Sequence, residues 1–132
     1  MRLTTSLALI TSSLVLAACG DSKESSENEN ASPTVARKEV GETREALKAA
    51  LATYKRGDKA AAQEQVAEAY VSHFEEVEGP LGDKDHELME DIEHAIADDL
   101  RASMKAGKPV ADVEAQVDTI VADLDKAEAA LR

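Results

Sequence analysis

The chain has 132 residues, enough for one domain, with a formal net charge of −12, one cysteine and only three aromatic residues. The acidic balance argues against nucleic acid, whose phosphates need basic partners, while it leaves a cation or a basic protein open as a ligand. A single cysteine excludes an internal disulfide.

Residues 1–18 read as a secretory signal. Arg2 supplies the positive start, and Leu7 to Ile10 with Leu14 to Leu16 supply an apolar stretch, shorter than the ~20 residues a membrane span needs. Leu16-Ala17-Ala18-Cys19 resembles the lipobox of bacterial lipoproteins. That resemblance implies acylation of the Cys19 thiol, cleavage before it and acylation of the new amino terminus. The mature chain would then be a lipoprotein anchored by acyl chains to the cell envelope and facing the periplasm, with no thiol left for chemistry. Gly20, not aspartate, follows the cysteine, which by the enteric sorting rule favours the outer membrane over the inner. Residues 19–34 have no apolar run and read as a flexible tether.

Residues 35–132 carry apolar residues at helical spacing, divided by three glycine-containing breaks. A first helix is predicted from about Val35 to Arg56, with Val40, Leu47, Leu51 and Tyr54 on one stripe. Gly57 ends it, and Asp58 is placed to cap the next. A second is predicted to about Glu78, with Ala62, Val66, Ala69, Tyr70, His73, Phe74 and Val77 on its stripe. Gly79-Pro80-Leu81-Gly82 reads as a break, with Asp83 or Asp85 as the following cap. The third carries Leu88, Ile92, Ile96 and Leu100, with Asp99 projecting to the same side and suited to pairing with a lysine. The fourth follows Pro109, expected in its first turn, and repeats Val113, Val117, Ile120, Leu124, Ala127 and Leu131. Short turns between such helices predict an all-α, antiparallel up-and-down four-helix bundle with an alanine-rich core.

Charge is uneven along this domain. Thirteen acidic residues and one basic residue, Lys84, lie between Ala60 and Leu100, and all three histidines fall in the same stretch. Carboxylates suit hard cations, and imidazole suits iron, zinc and copper. At about 100° per residue, His73 falls in the middle of the apolar stripe with Glu76 near its edge. Antiparallel pairing of the second and third helices would bring His73 level with Glu90, and Tyr70 level with Glu93. Two readings stand together: His73 as a hydrogen-bonded interior histidine, or as a metal ligand with Glu76, Glu90 and Glu93, Glu75 and Glu78 drawing cations to the mouth. His86 and His94, each three residues after an aspartate, point away from the apolar stripe and read as solvated. Ser72 and His73, adjacent in sequence, face different sides, so no serine nucleophile is assembled. With no phosphate-cradling loop and no haem-attachment motif either, the chain reads as a non-enzyme.

From Ala46 to Leu131 the sequence resembles the periplasmic helical region of bacterial high-affinity, oxidase-coupled iron permeases. The resemblance rests on the Tyr54-Lys55-Arg56-Gly57-Asp58 hinge, Tyr70 with Phe74, Glu75 and Glu78, Leu88 with Glu93, and the Ala106-Gly107-Lys108-Pro109 turn. His73-x-x-Glu76 is similar to the His-x-x-Glu of periplasmic imelysin-like iron proteins. Both resemblances imply iron as the bound cation, and an iron permease or periplasmic oxidase as partner. The family's Arg-Glu-x-x-Glu motif is absent: Arg44-Glu45-Ala46-Leu47-Lys48 departs at its last position. The alternative is an adaptor lipoprotein that binds no metal and docks a basic envelope partner through its acidic surface.

Overall fold

A computed structural model describes residues 31–132. The signal sequence, Cys19 and most of the tether lie outside the described residues.

The first helix, Pro33–Lys55, starts two residues earlier than the periodicity suggests. Ser32 accepts a hydrogen bond from the Val35 N–H, and Pro33 takes the first helical position, where its missing donor is not needed. Its end is decided by Gly57, whose φ of +93° is a left-handed conformation that side chains resist. Asp58 then accepts from the Ala61 N–H at 3.1 Å and opens the second helix.

The second helix runs without interruption through three segments: Lys59–Ala69, a π-helical turn Tyr70–Phe74, and Glu75–Gly82. The expected break at Gly79-Pro80-Leu81-Gly82 is therefore corrected. Pro80 withholds only the N–H that would have met the Glu76 carbonyl. Burial of Pro80 and Leu81 holds the last turn in place. The chain reverses over residues 83–85, where Lys84 and Asp85 both donate to the Leu81 carbonyl. Asp85, not Asp83, is the cap, accepting from the Leu88 N–H at 3.1 Å.

The third helix is likewise composite: His86–His94, a π-helical segment Ala95–Leu100, and Arg101–Lys105. Gly107 turns the chain with φ +67°. Pro109 stands at the cap position and not in the first turn, and the fourth helix is Val110–Ala130.

Each helix packs on its sequence neighbours, and the fourth closes back on the first, giving an antiparallel up-and-down bundle. The core is one cluster of mostly small and aliphatic side chains. Tyr54 and Phe74 are buried within it and Tyr70 packs against it. The Tyr54 hydroxyl donates to the Lys108 carbonyl at 2.7 Å, pinning the end of the first helix to the last turn. Buried Thr43 and Thr53 satisfy their hydroxyls on the carbonyls four residues back.

The two π-helical turns explain where the apolar stripes go. Regular helical spacing from Val66 and Ala69 would bring His73 to the core. The chain instead steps five positions, from Ala69 to Phe74, and Val77 and Leu81 follow in the new frame. The one extra residue moves His73 to the flank. The third helix behaves in the same way. Ile92, Ile96, Leu100 and Met104 recur every four residues, a spacing that drifts off one face of a regular helix and stays on it when a wider turn intervenes. Asp99 is thereby displaced from the apolar side to an exposed position, correcting the expectation that it points inward.

Candidate functional site

His73 is the residue on which the sequence reading turned. Its side chain keeps 30 % exposure, and its partner is Glu39 of the first helix, with Nδ1 2.8 Å from Oε2. A carboxylate only accepts, so Nδ1 carries a proton and Nε2 is the ring nitrogen left for another partner. The Glu39 carboxyl is only 13 % exposed and also meets Lys38 at 2.9 Å. The Lys38 bond, then the His73 bond, holds its pKa below the usual glutamate value.

The remaining candidates are scattered. Glu75 and Glu76 are exposed, and Glu76 makes no hydrogen bond to His73. Glu90 is drawn to exposed His86, 3.3 Å away, at a spacing of four residues on its own helix. The expected convergence of His73, Glu76, Glu90 and Glu93 is therefore not found. The π turn rotates the imidazole toward the first helix, away from the third. Among the described residues no three His, Cys, Asp or Glu side chains come together as a metal-holding group. The donor set named for iron is not assembled as these side chains stand.

What the structure does bring together is Tyr70, Glu78 and Glu93. The tyrosine hydroxyl is 2.6 Å from Glu78 Oε1 and 3.4 Å from Glu93 Oε1, bridging carboxylates on the second and third helices. The register expected for Tyr70 and Glu93 is the one seen. Burial, followed by the two carboxylates, raises the Tyr70 pKa well above its normal value. Burial also raises that of Glu78, with the charges of Glu93 and Glu75 adding to it. The Tyr70 ring leans on Phe74, centroids 6.1 Å apart.

Sequence reasoning passed over Glu39. It sits one residue before Val40 on the first helix, and nothing in its local spacing distinguishes it from Glu42 or Glu45. Its role follows from the neighbouring helix.

The wider electrostatics divide the bundle in two. Of the thirteen acids between Ala60 and Leu100, eleven are exposed and Glu78 and Glu93 are half-buried. Among the described residues none of the thirteen forms an ion pair with a lysine or arginine; only His86 and His94 approach two of them. The acids of the first and fourth helices are treated differently. Arg44 clamps Asp125 at 2.7 Å and Glu128 at 3.1 Å, Lys55 meets Glu114, Lys38 meets Glu39 and Glu42, Lys48 meets Glu45, and Lys126 meets Asp123. On one side of the bundle most acids are paired, Asp112 and Asp118 excepted, and on the other none meets a lysine or arginine among the described residues.

Compared with known proteins, the chain matches no family model, no curated sequence and no solved structure. No helix among the described residues is long and apolar enough to cross a membrane.

Proposed function

We propose that this chain is a lipid-anchored helical module of the bacterial cell envelope, held at the membrane through Cys19 and facing the periplasm, which docks a basic partner on the surface of its second and third helices. It performs no catalysis. The observation that carries the reading is the uncompensated charge of that surface, where eleven exposed carboxylates have no lysine or arginine paired to them among the described residues. Such a surface raises the local concentration of cationic ligands and speeds their encounter. The iron-permease likeness proposes the partner: an iron permease or a periplasmic oxidase in the same envelope.

The test is capture of envelope proteins by the full chain at rising salt. Neutralising Glu75, Glu76, Glu87, Glu90 and Asp91 is expected to abolish capture at low salt. Neutralising Glu42, Glu45, Asp112, Asp118 and Asp125 on the opposite side is expected to leave it intact. Bound partner should come off as the screening length falls below ~10 Å, near 0.1 M salt. Equal loss from both variants, or capture indifferent to salt, rejects the docking surface.

A second reading, iron or a similar cation bound directly, is favoured by one feature. The His73 Nδ1–Glu39 contact is the arrangement in which a carboxylate orients a ligating histidine, leaving Nε2 for an ion. Calorimetric titration of the full chain with ferrous, ferric, zinc and copper ions tests it. Stoichiometric binding lost in His73→Ala and weakened in Glu39→Ala supports this reading. Absence of binding, or binding unchanged in both variants, removes it.

A further inference from the structure

A cleft of about 300 Å³ opens between the third and fourth helices, lined by Ala95, Asp99, Ala115, Gln116, Thr119 and Ile120. It lies at the π-helical segment Ala95–Leu100, where the extra residue in the turn swings Asp99 off the core side and onto the cleft wall.

Three of its polar side chains bring acceptor oxygens to the cleft, and the Gln116 amide N–H2 is the one donor group left among them. Asp99 is a carboxylate with no lysine, arginine or histidine in ion-pair range among the described residues. The side-chain carbonyl oxygen of Gln116 is shielded from solvent and accepts no hydrogen bond. The Thr119 hydroxyl spends its only proton on the Ala115 carbonyl at 2.9 Å, so its oxygen has lone pairs alone to offer. Three acceptors, one of them charged, therefore stand around a floor of two alanines and Ile120. A buried acceptor without a donor is unfavourable and is relieved by any N–H that reaches it. The amide torsion of glutamine is broad, so a small rotation turns Gln116 Oε1 toward the opening.

We infer that this cleft binds a small primary alkylammonium group. The ammonium has three donors and no acceptor, matching Asp99, Gln116 and Thr119 one for one. Its alkyl stem would lie on Ala95 and Ala115 beside the buried Ile120, and covering the exposed alanine surface adds to binding. A carboxylate or phosphate ligand would meet the repulsion of Asp99, with only the Gln116 amide N–H2 to donate to it. The inference shares only Asp99 with the acidic docking surface, since it otherwise uses the seam between the third and fourth helices.

The experiment is a heteronuclear NMR titration of the full chain with 1-aminobutane, 1,4-diaminobutane, lysine blocked at both backbone ends, 1-butanol and butanoate. Saturable shifts centred on residues 95, 99, 115, 116 and 119 are expected for the amines, with affinity about tenfold or more above that for butanol. Asp99→Asn should weaken amine binding about tenfold, as expected for losing the charge-assisted bond. Gln116→Glu, which adds a second carboxylate, should tighten it. Preference for the diamine over blocked lysine assigns a free polyamine-like ligand. The reverse assigns a lysine side chain on another protein. Non-saturating shifts, equal binding of butanoate, or an amine affinity unchanged by both substitutions overturns the proposal. Capture by the acidic surface can survive that result, because Asp99 is not among the residues that test it.

Discussion

Glu78 sits where burial and two neighbouring carboxylates oppose its charge, and the Tyr70 hydroxyl compensates only in part. Its pKa is raised in the folded chain, so the folded state holds the proton more tightly than the unfolded one. Stability is then lost as pH rises from the usual glutamate value of 4.5 through the folded value, and the penalty is complete at neutral pH. Glu78→Gln keeps an acceptor for Tyr70 and removes the charge. We expect it to raise the melting temperature at pH 7 and to have no such effect below pH 4.5, measured by circular dichroism. Glu39 behaves oppositely. Its pKa is lowered, first by Lys38 and then by His73, so its contribution is present above pH 4.5 and fades as pH falls through the folded value. Glu39→Gln should melt earlier than the parent at pH 7, with the two curves converging in acid. Tyr54→Phe isolates one neutral hydrogen bond to the Lys108 carbonyl, and its loss should cost ~1 kcal/mol in chemical denaturation.

At the scale of the helix, the π turns are the devices that matter. A one-residue insertion into an otherwise regular helix implies that removing one residue there restores regularity. Deleting Val71, which is 57 % exposed within the π turn, would put Phe74 four positions after Ala69 and leave Val77 and Leu81 in the core. The expectation is a folded, helical bundle with its melting temperature changed by only a few degrees. Deleting Gln65 from the regular segment shifts every later residue of that helix by one position. Phe74, Val77 and Leu81 would then leave the core, and truncations of single buried residues of this size already cost ~3–5 kcal/mol. The contrast between the two deletions, read by calorimetry, tests whether the π turn sets the frame. The signal lies in the sequence as a five-residue step in one helix and a run of four-residue steps in the other. The apolar residues alone do not say which helix turn absorbs the mismatch. Read as regular helices, the same residues put His73 and Asp99 inside, and that assumption misplaced both.

For the whole molecule, the governing feature is the separation of paired from unpaired charge. Carboxylates crowded on the second and third helices repel one another, and salt should relieve that repulsion more than it weakens the clamps of Arg44 and Lys55. The melting temperature is expected to rise between 10 mM and 0.5 M sodium chloride; a fall would mean that the ion pairs of the first and fourth helices dominate. The four helices, the Asp58 cap, a cap at Asp83 or Asp85 and the Gly57 and Gly107 turns were legible in the sequence, because each depends on residues within a few positions of one another. The concentration of negative charge was legible for the same reason, being a matter of composition. The partner of His73 was not. Glu39 lies 34 residues away, and only the closure of the first helix on the second, with one extra residue turning the imidazole outward, makes them neighbours. Local backbone preference and periodic burial set the helices and their apolar stripes, so the order of residues was enough for these. Which polar side chains meet was left to the packing between helices, because that packing fixes rotation about each axis, and one residue of helical phase separates an interior position from a flank.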